Sequence, residues 1–248
     1  MSELETIKDI SVDQYNIKIV LFDFDGTIST LREGWENIME PLMISEISGD
    51  HEPSPEIIKE VKEYIDESTG IQTIYQMKWL KKKVEEYGLN SEIRGAWDYK
   101  DIYNDKLIEM VEKRLAKIET EEKSPEDYRI DGSLQFIEKL YEKGYELYLA
   151  SGTDHPDVVH ETKVLGVNQY FKKIAGAPVD KADSSKKAVI KHLLEERELS
   201  AAELLIIGDG KVEISLGAEK GAVTLGTATE ENKGEGINSW KRNRLIDA

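Results

Sequence analysis

The chain has 248 residues, with 33 Lys and Arg against 50 Asp and Glu, a formal charge of −17, four His and no Cys. That length suits one large α/β domain, or a core with a second, smaller unit, and buries a core without disulfide or zinc staples. Zero Cys excludes disulfides, Cys-ligated zinc, iron–sulfur clusters and thiol nucleophiles. The acid excess counts against nucleic acid, whose phosphates need clustered Lys and Arg.

The opening MSELETIKDI has neither a basic start nor an apolar stretch, and no window approaches the roughly 18 apolar residues of a membrane span. A soluble, cytoplasmic protein is expected. Residues 17–22 (IKIVLF) form a short apolar run rich in β-branched residues, which predicts a strand buried on both faces and ending at Asp23. From about Leu31 to Arg129 no such run occurs, and three helical patterns do: Pro55 to Glu67, Ile71 to Tyr87 and Ile102 to Glu119. Ser54 and Pro55 read as N-cap and first helical residue, and Gly88 as a C-terminal stop. The richest basic run, Lys81 to Lys83, is followed at once by Glu85 and Glu86, as on a solvated helix face.

Buried-strand runs return at Glu146 to Ala150 (ELYLA) and Leu204 to Ile207 (LLII), with weaker ones at Phe171 to Ala175 and Ala222 to Leu225. Helical patterns separate them at Ser133 to Lys143, Pro156 to Leu165, Ser185 to Arg197 and Lys211 to Lys220. This alternation predicts an α/β fold, a parallel sheet with helices on both faces. The hundred or so helical residues after the first strand are placed as a lid over its C-terminal end, where open parallel sheets bind ligands.

That end reads Asp23-Phe24-Asp25-Gly26-Thr27. Residues i and i+2 of a strand share a face, so two carboxylates emerge side by side, and Gly26 is free to make the sharp turn that follows. Close like charges need a cation between them or a proton on one. Ser151-Gly152-Thr153 after ELYLA offers a hydroxyl and backbone N–H groups to an anion. Gly208-Asp209-Gly210 after LLII, with Glu213 four residues past the Asp, adds carboxylates for a hard cation such as Mg²⁺. Lys186 and Lys187 open the helix between them. Lys186 stands three and four residues before Val189 and Ile190 on the apolar face, so it is preferred over Lys187 as the one that leans toward the sheet.

This ordered set resembles the haloacid dehalogenase superfamily: Val20 to Thr27 (VLFDFDGT) as first motif, Ser151 as second, a Lys of the pair 186 and 187 as third, Gly208 to Glu213 (GDGKVE) as fourth. The resemblance implies a Rossmann-like core over residues 1–30 and 130–248 with a helical cap over residues 31–129. It implies that Asp23 attacks phosphorus, that Asp25 protonates the leaving alcohol and later activates water, and that Ser151 and the Lys hold phosphoryl oxygens. Mg²⁺ would bind Asp23, the Asp25 carbonyl and Asp209. Glu213 stands where the family usually has a second Asp, which leaves its direct ligation open. Gly26, Thr27 and Gly152 are taken as phosphate-binding positions.

The presence of Asp25 disfavours a dehalogenase, which has no alcohol to protonate. A Mg²⁺-dependent phosphatase of a small soluble phosphate ester, sugar phosphates included, is the leading expectation, with a phosphomutase as alternative. A non-catalytic binding protein and a metal-dependent glycosyltransferase rank lower. Thr30, Arg32, Glu33 and Trp35 follow the first motif closely enough to face the ester, and Arg32 is the candidate partner for a substrate anion. Trp79 and Trp97 are read as cap core, and His155 as a helix-entry residue beside Pro156. The tail from 226 to 248 receives no role.

Overall fold

A computed structural model describes residues 4–8, 14–182, 185–231 and 236–248. Five strands form one parallel sheet: β1 (Ile19–Phe22), β2 (Glu146–Asp154), β3 (Phe171–Ala177), β4 (Leu204–Gly208) and β5 (Val223–Gly226), in the order β3-β2-β1-β4-β5. β1 sits at the centre with Ile19 opposite both Glu146 and Leu204, and all four of its residues are buried. The chain winds one way from β1 to β2 and β3 and the other way to β4 and β5, so the order reverses at β1. A crevice opens at the C-terminal ends of strands at such a reversal.

Alternation along the strands splits the core into two layers. Val20, Phe22, Leu147 and Leu149 pack with Ile137 of α5 (Ser133–Glu142) and Val158 of α6 (His155–Val164). Ile19, Leu21, Tyr148 and Ala150 pack on the other face with Val189, Ile190 and Leu193. Val189 and Ile190 belong to α7 (Ser185–Lys191), which continues in wider π turns through Glu196. α8 (Lys211–Lys220) follows β4, and α9 (Ser239–Ile246) lies near the end of the chain.

Four helices, one more than the sequence patterns suggest, lie between β1 and β2: α1 (Glu36–Ser48), α2 (Pro55–Glu67), α3 (Thr73–Tyr87) and α4 (Ala96–Glu119). They share their own buried cluster, including Met43, Ile57, Leu80 and Tyr103. α1 escaped notice because Pro41 stands inside it, normally a helix breaker, although Met39, Leu42, Met43 and Ile47 keep helical spacing. α4 begins six residues before Ile102, where aromatic residues of modest helix propensity, Trp97 and Tyr99, replace the expected aliphatic repeat. Its far end leaves the helical cluster, and Val111 and Leu115 join the sheet's core instead. Lys81 and Lys82 pair along the helix with Glu85 and Glu86, the solvated face expected of them, whereas Lys83 is half-buried and also crosses to Glu60 of α2 at 2.6 Å.

β2 also runs longer than ELYLA, so that Ser151, Gly152 and Thr153 belong to the strand and Asp154 pairs with Ala177 across a register shift. Leu149 of this strand is fully buried between β1 and the α5–α6 layer. Leu149→Ala should therefore cost about 2–5 kcal/mol of unfolding free energy, measured as a lower urea midpoint with unchanged slope.

Candidate active site

Asp23 extends β1 by one residue, its N–H donating to the Ile207 carbonyl at 2.8 Å, and its side chain is 5% exposed at the strand's C-terminal edge. Lys186, in the first turn of α7, donates from Nζ to Asp23 Oδ2 and to Glu213 Oε2, both at 2.8 Å. Lys187, one residue on and turned away by the helix, is exposed, so the structure places Lys186 at the site. Burial pushes the Asp23 carboxyl well above the usual range against the pull of Lys186, and the charges of Glu213 and Asp209 push the same way. Burial works to deprotonate Lys186, but Asp23 and Glu213 outweigh it and hold the ammonium above its ordinary value.

Asp25 is oriented from β2. Its Oδ2 accepts from Thr153 Oγ1 at 2.8 Å and Ser151 Oγ at 3.1 Å, and the Ser151 hydroxyl in turn accepts the Thr153 N–H at 3.0 Å. Oδ1 has no hydrogen bond among the described residues. Thr153, whose role the motif reading left unassigned, is thus as close to Asp25 as Ser151 is. Arg32 approaches Oδ1 only to 3.9 Å. Its guanidinium is taken by α6, with Glu161 Oε1 at 2.5 Å and Asp157 Oδ2 at 3.3 Å, so the residue expected to meet a substrate anion is bound to protein carboxylates. Burial lifts the Glu161 carboxyl to about 7, and Arg32 opposes that rise. Glu33 and Trp35 line the cavity above Asp23, whereas Thr30 is buried and gives its carbonyl to Arg114.

Asp23, Asp209 and Glu213 are all buried and each offers a carboxylate oxygen within 4.8 Å of the others. Three hard oxygen donors in one dry spot, with like charges raising the Asp23 pKa, fit a divalent cation. Glycines make the grouping possible. Gly26 has φ +71°, and a Cβ there would lie 2.3 Å from Asp209 Oδ2; a Cβ on Gly208 would lie 2.3 Å from Glu213 Oε1. Glu213 folds back to accept the Gly210 N–H at 2.6 Å and caps α8, so it serves the helix terminus as well as the carboxylate group. Thr27 is buried with its hydroxyl 3.3 Å from that of Thr227.

Two further elements reach the site. The loop between α2 and α3 lies against it: a Cβ on Gly70 would stand 3.2 Å from Lys186 Nζ, and one on Gly152 2.9 Å from the Ile71 carbonyl. From the tail, Lys241 of α9 donates to Asp209 Oδ2 at 2.8 Å and to Glu231. Arg244 bridges the Asp209 carbonyl at 3.1 Å to Asp66 Oδ1 at 3.1 Å, and Trp240 Nε1 donates to the same Asp66 oxygen at 2.7 Å. Sequence reasoning missed these residues. The signal was present in Lys241, Arg242 and Arg244, a basic run beside a Trp in a strongly acidic chain. Trp79 stacks on Tyr64 and packs against the helical cluster, whereas Trp97, expected in the cap core, is exposed beside Lys100; His155, at the start of α6, accepts the Gly176 N–H.

The family model of the haloacid dehalogenase-like hydrolases matches residues 20–227, which spans both the sheet and the inserted helices. The chain belongs to this family. A 5'-nucleotidase of Pseudomonas aeruginosa is 30% identical over 93 residues, 38% of this chain and 42% of that protein. A phosphoglycolate phosphatase of Vibrio parahaemolyticus is 23% identical over 112 residues, 45% of this chain and 49% of the relative. These matches span less than half the length of either curated relative. A β-phosphoglucomutase structure from Clostridium difficile superimposes with TM-score 0.60 at 12% identity, over 94% of this chain and 98% of the other, a likeness of fold. Among the described residues no helix is long and apolar enough to cross a membrane.

Lys186 is the ammonium that compensates both Asp23 and Glu213 in this dry site. Lys186→Met should cost about 3–5 kcal/mol in equilibrium unfolding at neutral pH, beyond what losing its apolar stem explains.

Proposed function

We propose that the protein is a Mg²⁺-dependent phosphatase of small phosphate monoesters, with residues 1–30 and 130–248 as catalytic core and residues 31–129 as cap. The observation that carries this reading is the pairing of Asp23 and Asp25 on one strand end, the first bound to Lys186 through Oδ2 and the second oriented through Oδ2 by Thr153 and Ser151. The remaining oxygen of Asp23 attacks phosphorus, and the phosphorus–ester oxygen bond breaks to leave an aspartyl phosphate. Asp25, oriented by Thr153 and Ser151, gives its proton to the departing alkoxide. It then takes a proton from the water that cleaves the aspartyl phosphate, releasing inorganic phosphate and restoring both carboxyl groups. Lys186 holds a nonbridging oxygen as negative charge shifts.

Asp23, Asp209 and the Asp25 carbonyl, with Glu213 beside them, would hold Mg²⁺, which would supply the positive charge that lets a phosphate dianion approach these carboxylates. The inserted helices and the loop around Gly70 exclude water from the cavity while the ester is bound.

The test is phosphate release from an aryl phosphate with Mg²⁺. EDTA should abolish it, Asp23→Asn should remove it altogether, and Asp25→Asn should slow it about 10²–10⁴-fold. Release that persists in Asp23→Asn defeats the mechanism; isomerisation of a sugar phosphate on a bisphosphate primer, without net release, replaces it by the mutase. In a separate measurement, Mg²⁺ at about a hundredfold excess over its dissociation constant should stabilise the wild type by about 2.7 kcal/mol. That gain, read as a Tm rise, should vanish in Asp209→Asn.

A further inference from the structure

The cavity above Asp23, about 780 Å³ in volume, is lined by both core and inserted helices, and its charges are unevenly committed. Lys186, Arg32, Lys241, Arg244 and Lys62 each hold a protein carboxylate at 3.5 Å or less. The sixth cation, Arg114, spends Nη1 on the carbonyls of Thr30, Leu31 and Glu33, at 3.2, 2.8 and 2.9 Å. Against them Glu33, Glu36 and Glu230 line the same space, and none has an ion pair among the described residues. Glu36 lines the same cavity as Lys241 and Asp209.

Resting on the phosphatase reading, we propose that the ester carries its phosphate as its only anionic group, the alcohol half being neutral or cationic. On that half a carboxylate or second phosphate finds five of the six lining cations already paired with protein carboxylates, only Arg114 being held by carbonyls instead, and meets three carboxylates without ion pairs among the described residues, like charges that repel it. A hydroxylated or aminated alcohol meets the same carboxylates as hydrogen-bond acceptors. Discrimination then comes from repulsion of the wrong charge rather than from a pocket shaped to one molecule. The same charge pattern opposes a bisphosphate, which a mutase would have to hold.

Three two-carbon esters of nearly equal size isolate the charge: 2-hydroxyethyl phosphate, O-phosphoethanolamine and phosphoglycolate. Each is measured as a substrate and as a competitive inhibitor of aryl phosphate hydrolysis, at fixed Mg²⁺ and low salt. Phosphoglycolate should be at least tenfold poorer than 2-hydroxyethyl phosphate in kcat/KM or in inhibition constant, with O-phosphoethanolamine equal or better. Glu36→Gln should narrow the gap at least threefold. A series blind to charge, or a preference for phosphoglycolate, overturns the inference while leaving the phosphatase reading intact. Failure of the aryl phosphate itself to release phosphate strikes that reading instead.

Discussion

One ammonium set between buried carboxylates governs the architecture of the site. Lys186 touches Asp23 and Glu213 at 2.8 Å each, and all three side chains are almost wholly shielded from water. A carboxylate buried without compensation costs several kcal/mol, so this cluster persists only where the surrounding fold supplies donors. The donors come from separate elements: α7 gives Lys186, the start of α8 gives the Gly210 N–H, and α9 gives Lys241 to Asp209. Even so the charge is not fully met, because three carboxylates face two ammonium groups there. Burial first and this deficit second raise the Asp23 pKa, and the deficit is the physical ground for expecting a divalent cation.

The same balance ties the inserted helices to the sheet. Asp66, at the end of α2, receives Arg244 and Trp240 from α9, and Arg244 also holds the carbonyl of Asp209. On the other side Lys100 of α4 donates to Asp154 at the end of β2 at 2.6 Å, with Asn104 beside it. Arg114 of α4 gathers three carbonyls of the segment that leaves the sheet. A helical unit with its own core is thereby clamped across the strand ends by polar contacts. Polar contacts of this kind can be exchanged for water more readily than packed side chains.

The sheet was legible because burial on both faces writes itself as short apolar runs; Asp23, Asp25, Ser151 and Asp209 were legible because each follows such a run, and Lys186 and Glu213 because they open helices α7 and α8. Asp23, Asp25, Ser151, Lys186, Asp209 and Glu213 converge for that reason. Helix phase alone separated Lys186 from Lys187, since a rotation of about 100° per residue decides which stem lies along the sheet. Pairings made across long stretches of chain were not legible. Nothing local to Arg32 announces Glu161, 129 residues away, and nothing local to Lys241 announces Asp209. α1 was hidden by Pro41, a strong local signal overruled by the packing of Met39, Leu42 and Met43.

Net charge illustrates the difference between composition and placement. A formal charge of −17 says only that acids outnumber bases, and many of them sit in surface pairs such as Lys113 with Glu109 that contribute little. What matters is where a cation has already been claimed. Arg32 would look like an anion receptor in any list of cavity residues, yet its guanidinium lies against Glu161 and Asp157. Recruiting it to a substrate would strand a buried Glu161, a cost of the same order as the ion pair it would form. Five of the six basic residues of the cavity therefore hold the protein's own acids in place, and the sixth, Arg114, holds carbonyls of the segment that leaves the sheet.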